Sequence, residues 1–190
     1  YGKRFSNNAD KYSFTQLLQD ISKIDGLERI RFTSPHPLHM DDDFIEEFAR
    51  NPKISKCIHM PLQSGSTKIL KAMKRGYTKE WFLNRAFKMR ELIPDLRITT
   101  DIIVAFPGET NEDFLDTLDV VNQVKFDQIF NFKYSPRPNT KALELKDLEI
   151  EDSIGSARLD ELIELHKRYL ENSMPNMIGK TVNVLVESLK

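Results

Sequence analysis

The order of strand, polar loop and helix, repeated along the chain, constrains this sequence more than any other feature. Apolar, β-branched runs occur in "RIRFTSPHP", "KCIHMPLQSGS", "RITTDIIVAF" and "DQIFNFKYSPRPNT", with starts near residues 29, 56, 96 and 127. Helical spacing fills the intervals. In "SFTQLLQDISKI", Phe14, Leu17, Leu18, Ile21 and Ile24 share one face, Ser13 is a candidate N-cap and Gly26 ends the run. "DDDFIEEFAR" opens on three aspartates, which the helix dipole favours at that end, and Asn51-Pro52 closes it. "STKILKAMKR" is broken at Gly76, and Thr78 starts a longer helix with Trp81, Phe82, Ala86, Met89 and Leu92 inward. After "PGET", Thr110 and Asp113 are spaced as a capping box. A last amphipathic helix spans about 156–174, and "KTVNVLVES" alternates as a strand does. Parallel strands need long, usually helical crossovers, so the expected class is α/β with a parallel sheet. The polar tips "SPHP", "QSGS", "PGET" and "SPRPNT" all follow strands, at the end where such folds bind ligands. Four strands do not close a barrel of this type, so either the sheet is open or earlier strands are missing.

Composition narrows the functional classes. With 190 residues and 39% hydrophobic content, the chain can bury a core without disulfides, and its only cysteine, Cys57, forms none within the chain. A single cysteine also leaves no set able to hold zinc or an iron–sulfur cluster. A reducing, cytoplasmic setting is expected, with no membrane partner, because no apolar run reaches spanning length. The formal net charge of −1 announces no polyanionic partner. Locally, however, Lys68, Lys71, Lys74, Arg75, Lys79, Arg85, Lys88 and Arg90 face only Glu80 within 68–90. A solvated helix face is the plainer reading of that run, and a phosphate-binding patch the sharper one. Tyr1 stands where a methionine would open a complete chain, so a piece of a longer polypeptide is expected.

Several catalytic motifs are missing: the sequence has no P-loop, no GxGxxG and no nucleophile elbow. His36 and His39 beside Asp41, Asp42 and Asp43 could mark a metal-dependent hydrolase, but the aspartates are accounted for as first-turn helix residues. His59 and His166 are expected to be structural or surface residues, and Cys57 an inert thiol. In "MPLQSGS", a strand emerges into Gln63, Ser64 and Gly65, whose amide and hydroxyl groups suit a ribose or an amino acid moiety. Arg75 follows at the end of the next helix, and Asp101 stands on the next strand, where it could accept from sugar hydroxyls. Each has a plain alternative: a cap partner, a solvated side chain, a satisfied sheet polar. Together they are consistent with a nucleoside-type ligand.

"RIRFTSPHP", "HMPLQSGSTKILKAMKRGYT", "TTDIIVAFPGETNEDF" and "YSPRPNT", in this order, resemble the radical S-adenosylmethionine methylthiotransferases over nearly the whole chain. "PLQSGS" and "YSPRPNT" are similar to the tRNA-modifying branch, and "TSPHP" to the enzymes that thiomethylate isopentenylated adenosine beside the anticodon. The resemblance implies a partial TIM-type (βα) barrel of the radical SAM type, later strands only, over 1–175. It also implies the start of a small C-terminal RNA-binding β-domain over 176–190. S-adenosylmethionine and two [4Fe–4S] clusters are the implied cofactors; the clusters sit on cysteines this chain lacks, so no catalytic or metal-ligating residue is assigned and inactivity alone is expected. In the implied chemistry a deoxyadenosyl radical abstracts hydrogen from adenine and the second cluster delivers the methylated sulfur. Gln63 and Asp101 match positions facing the cofactor ribose, and Arg75 one facing the methionine carboxylate, where a guanidinium fork suits a planar anion. Ser34, Ser64 and the "VAFPG" backbone are lesser cofactor candidates, and Arg137 faces substrate RNA, cofactor or merely a loop carboxylate. tRNA is the implied partner. Alternatives left open are action on threonylcarbamoyl adenosine or on a ribosomal protein and, in another class, a non-catalytic α/β module that holds RNA.

Overall fold

The computed structural model describes residues 12–33, 35–138 and 140–181, together with 184 and 186. Ser34 and most of the expected strand "KTVNVLVES" lie outside the described residues.

Six α-helices alternate with a parallel sheet: α1 (Phe14–Ser22), α2 (Asp42–Arg50), β1 (Cys57–His59), α3 (Thr67–Ala72), α4 (Lys79–Leu92), β2 (Arg97–Val104), α5 (Asn111–Val124), β3 (Gln128–Lys133) and α6 (Asp152–Ser173). Short 3₁₀ segments form at Pro37–His39, Lys141–Leu148 and Met174–Met177. Among the described residues the sheet order is β1-β2-β3, with Ile58 opposite Ile98 and Asp101 opposite Phe130. The sheet is parallel, as the loop-and-helix spacing predicts, and it does not close.

The helices start where the caps are. Ser13 and Thr110 each form a capping box, with Gln16 and Asp113 respectively, while Asp41, Ser66 and Thr78 accept from the third residue of α2, α3 and α4. Within α2, Phe44, Ile45 and Phe48 recur at helical spacing and are fully buried. Each such aromatic contributes about 1.5–3 kcal/mol by leaving water.

One expected strand is corrected: "RIRFTSPHP" contributes a single parallel bridge, Ile30 to Ile54, rather than a ladder. The Ile30 amide donates to Lys53 (2.7 Å) and its carbonyl accepts from Ser55 (3.0 Å). Pro35 and Pro37 then supply no donors to extend the pairing. Three residues of the expected apolar faces are also exposed: Leu17 on α1, Ile24 beyond the end of α1, and Leu92 at the end of α4.

The two sheet faces differ in kind. Ile58, Ile98, Ile102, Val104 and Ile129 point into the helix-covered core with Phe82, Met89, Phe114, Val121 and Leu162. On the opposite face stand His59, Thr99, Asp101, Ile103, Phe130 and Phe132, only partly covered or exposed. Strands covered on both faces read as continuous apolar runs; β2 alternates instead, which fits a sheet whose second face lines a ligand space.

Candidate active site

That second face opens, at the carboxyl ends of the strands, into a cleft of about 760 Å³. Gln63, Arg75, Asp101 and Arg137 all line it, each carried by a different stretch of chain.

Gln63 is set by an interruption in β1. Pro61 has no N–H to offer, and Thr100 bridges the gap: its hydroxyl donates to the Met60 carbonyl (2.8 Å) and accepts from the Leu62 amide (2.9 Å). The chain then rejoins β2 for one bridge, with the Gln63 amide donating to Asp101 O (2.8 Å) and Gln63 O accepting from Ile103 (2.9 Å). Gln63 takes φ 72°, in the left-handed region that a non-glycine residue seldom adopts. Tyr77 braces the same loop from behind, its phenol donating to Pro61 O at 2.9 Å. Burial of that phenol pushes its pKa up to about 12, so it serves as a donor at any physiological pH. Among the described residues the Gln63 side-chain amide has no hydrogen-bond partner, leaving it available to the cleft.

The left-handed turn at Gln63 sends the next residues away. Ser64 is fully buried and does not line the cleft; its hydroxyl accepts from the Ser66 amide (3.2 Å) and lies 3.5 Å from Thr117 Oγ1. Gly65 passes so close to α5 that a Cβ would fall 2.4 Å from the Thr117 Cα. Ser66 caps α3 and donates to Asp113 at 2.6 Å. "SGS" is thus a fastening between α3 and α5, and only Gln63 of the motif faces the ligand space.

Asp101 projects from the middle of β2. His59, two positions before Pro61 and on the same face, stands 3.2 Å from Asp101 Oδ2 through Nε2. Its Nδ1 is 2.8 Å from the Thr99 hydroxyl, so Nε2–H donates to the carboxylate while Nδ1 accepts from Thr99. Among the described residues Asp101 Oδ1 has no hydrogen-bond partner, which leaves it for a ligand. The sequence alone presents His59 as a structural or surface residue; its register partner is Thr99, and Asp101, two residues further along β2 and therefore on the same face, is the neighbour that brings it to the site.

Arg75 follows the turn that ends α3, where Lys74 is also left-handed (φ 57°) and the Arg75 amide donates to Leu70 O at 2.9 Å. Among the described residues its guanidinium has no ion pair. It is felt electrically by its neighbours: burial first, then Arg75 and His39, lower the pKa of His36, and His36 lies edge-on to Tyr77.

Of the "VAFPG" stretch only Phe106 lines the cleft, where it forms part of the floor. Ala105 holds φ 58°, and its amide donates to Glu109 Oε2 at 2.8 Å. Glu109 in turn receives Arg158 of α6 at 2.7 Å, and its side chain has no exposed surface.

The radical SAM superfamily model matches residues 5–121. The chain belongs to the radical SAM superfamily. It is 82% identical over all 190 residues to the tRNA-2-methylthio-N(6)-dimethylallyladenosine synthase of Aliarcobacter butzleri, and 58% identical to the synthases of that name from Nitratiruptor sp. and Campylobacter jejuni. Each match covers 100% of this chain but 44% of the relative, so the chain spans less than half the length of those proteins.

Superfamily membership raises two cofactors, and this chain's residues fit them differently. The cleft, with an unpaired guanidinium, a free amide and a half-free carboxylate, fits S-adenosylmethionine, and its volume lies within the range of about 300–1,000 Å³ usual for small-molecule sites. An iron–sulfur cluster does not fit: Cys57 is the only cysteine, and no group of three His, Cys, Asp or Glu is placed to hold a metal among the described residues. The histidine loop supplies no metal site either, since Asp41 caps α2 and Asp42 pairs with Arg85 and Lys88. Among the described residues no helix is long and apolar enough to cross a membrane.

Proposed function

We propose that this chain forms the cofactor-facing part of a tRNA methylthiotransferase, working in a reducing cytoplasm on an isopentenylated adenosine next to the anticodon. The convergence of Gln63, Arg75 and Asp101 on one cleft carries the reading, in a chain 82% identical throughout to a protein named for that synthesis.

Arg75 takes the methionine carboxylate: a planar fork with no ion pair among the described residues can make two parallel charge-assisted bonds. Asp101, oriented by His59, accepts from a ribose hydroxyl through its free oxygen, and the Gln63 amide supplies both a donor and an acceptor to the same sugar. The exposed ring of Phe132 and the Phe106 ring give the cleft apolar walls that exclude water from the reacting end. S-adenosylmethionine held there would supply the reactive adenosyl group, which Gln63, Arg75 and Asp101 would orient. Arg137, Ser34 and the 176–190 β-domain are assigned to substrate, cofactor and RNA respectively on the family resemblance.

The test is Arg75→Ala in the intact synthase, with cofactor affinity read by calorimetry and the tRNA product read by mass analysis of its nucleosides. Loss of a charge-assisted pair predicts about 10- to 100-fold weaker cofactor binding. Unchanged affinity removes Arg75 from the site, and an intact, cluster-loaded enzyme that adds no methylthio group to isopentenylated tRNA overturns the function.

A further inference from the structure

The eight cations of the 68–90 run do not share one fate. Lys68 pairs with Asp113 (2.6 Å), Lys79 with Asp116 and Asp119 (2.7 and 2.8 Å), and Arg90 with Asp127 (3.8 Å). Arg85 and Lys88 both pair with Asp42. For these five the solvated-face reading suffices. Lys71, Lys74 and Arg75 have no ion pair among the described residues, and all three line the cleft. Arg137 and Lys141 join them from the far side, and Lys133, paired with Asp152, completes a lining of six cations against two carboxylates, Asp101 and Glu144, in a chain whose net charge is −1.

Two of these cations are set against each other. The turn after α3 places Lys74 in the left-handed region, fastened by its own amide to Lys71 O at 3.0 Å. A non-glycine residue seldom adopts that conformation, so the direction of Lys74 is imposed by the turn. Lys141, the first residue of the 3₁₀ segment Lys141–Leu148, lines the same cleft from the far side, and its ammonium lowers the Lys74 pKa, an effect Glu144 only partly offsets. Like charges that share one cleft repel each other. An oxyanion between them reverses the sign of that contact.

We propose that Lys74 and Lys141, flanked by Lys71 and Arg137, clamp a backbone phosphodiester of the RNA substrate at the mouth of the cleft. The clamp rests on the cleft being the reaction site proposed above, and it adds how the substrate is held there. Two ammonium groups are point charges without a planar fork, which suits a tetrahedral oxyanion better than a carboxylate; the fork, Arg75, is assigned to the carboxylate. The topology agrees. A base that must reach a cofactor inside the cleft leaves the chain's stack and enters first, and its own phosphates stay at the rim.

The test measures binding of a single-stranded RNA spanning the anticodon loop to the intact synthase by anisotropy over a salt series, with calorimetry of S-adenosylmethionine in parallel. Lys74→Ala and Lys141→Ala should each weaken RNA binding about 3- to 10-fold and each lower the salt slope by about 0.7, the value for one phosphate contact on a single strand. Lys88→Ala, which removes a cation tied to Asp42, should change neither. Wild-type behaviour of the clamp variants, or an equal loss in Lys88→Ala, overturns the clamp. Weakened cofactor binding with intact RNA binding in the clamp variants also overturns it, by assigning the anion to the cofactor. An Arg75→Ala enzyme with full cofactor affinity, beside clamp variants weak on RNA, sinks the cofactor assignment and leaves the clamp standing.

Discussion

Replacing Arg158 by methionine tests whether the cleft floor is held by a buried charge pair. The Glu109 side chain has no exposed surface and that of Arg158 is 11% exposed, with 2.7 Å between them. Arg158 also donates to the Glu109 carbonyl (3.1 Å) and lies over the Phe114 ring. Burial raises the Glu109 pKa, and the Ala105 amide and Arg158 only partly offset it. Arg158→Met keeps most of the packing and leaves a carboxylate buried with one amide donor, for which a loss of about 3–5 kcal/mol is expected near neutral pH. The sign with pH follows from the proton. A buried acid whose folded pKa exceeds its unfolded one binds protons more tightly when folded, so the variant loses stability as pH rises from the unfolded value through the folded one. Within that window the slope is about 1.4 kcal/mol per pH unit, and above it the loss is constant. Urea unfolding of wild type and variant from about pH 5 to pH 8 therefore shows a gap that narrows on acidification. Glu109→Gln in the Arg158→Met background should recover most of the loss and remove its pH dependence. A deficit below about 1 kcal/mol, or one that is flat over that range, refutes the buried-pair account.

Two further perturbations probe the frame around the site. The Asp113 carboxyl is pushed up by burial but held down to about 2 by Lys68, Ser66 and Thr110, so its contribution is full above its ordinary pKa of 3.8 and disappears as pH falls through 2. Asp113→Asn should cost about 2 kcal/mol at pH 7 and nearly nothing at about pH 2 in chemical unfolding; an equal cost at both would show that shape, not charge, is what matters. Ala105 sits at φ 58°, and a Cβ at Gly155 would lie 3.1 Å from the Ala105 Cβ and 3.0 Å from Lys133 Cδ. Ala105→Gly should relieve about 1 kcal/mol of strain, while Gly155→Ala alone should lose its helical gain of about 1 kcal/mol to the contact. In a double-mutant cycle the pair should exceed the sum of the singles by about 0.5 kcal/mol or more; additivity would show that α6 has room to move.

Much of the frame was legible because it depends on local rules. Ser13, Thr78 and Thr110 are caps that announce themselves by residue type and spacing, and strand–loop–helix order dictates parallel pairing with little freedom. The "SGS" turn was not legible. A hydroxyl after a strand reads the same whether it faces a ligand or a neighbouring helix, and one left-handed residue at Gln63 decided between them. Arg158 carries no motif at all; its role exists only because α6 returns across the loop after β2, a contact separated from Glu109 by 49 positions. The basic run was ambiguous for a similar reason. Its eight charges look equivalent along the chain, and only the folded positions of Asp42, Asp113, Asp116, Asp119 and Asp127 show which five are neutralised.

The parts of the cleft therefore differ in how they are held. Gln63 is fixed to β2 by backbone hydrogen bonds, its amide donating to Asp101 O (2.8 Å) and its carbonyl accepting from Ile103 (2.9 Å), so the Gln63–Asp101 spacing survives any change that leaves this pairing intact. Arg75 depends on the turn that closes α3, and the Ala105 floor on a pair whose second member comes from α6. Lys141 and Arg137 follow β3 on exposed chain, where the Thr140 hydroxyl donates to the Arg137 carbonyl at 2.8 Å and the Thr140 carbonyl accepts from Leu143 at 3.2 Å. The order of rigidity runs from the centre outward, as a site needs when a small cofactor must be oriented at the floor and a larger, more variable polymer admitted at the rim. Damage to the sheet pairing should thus abolish cofactor binding, whereas damage to the 3₁₀ rim should spare it and weaken only the grip on RNA.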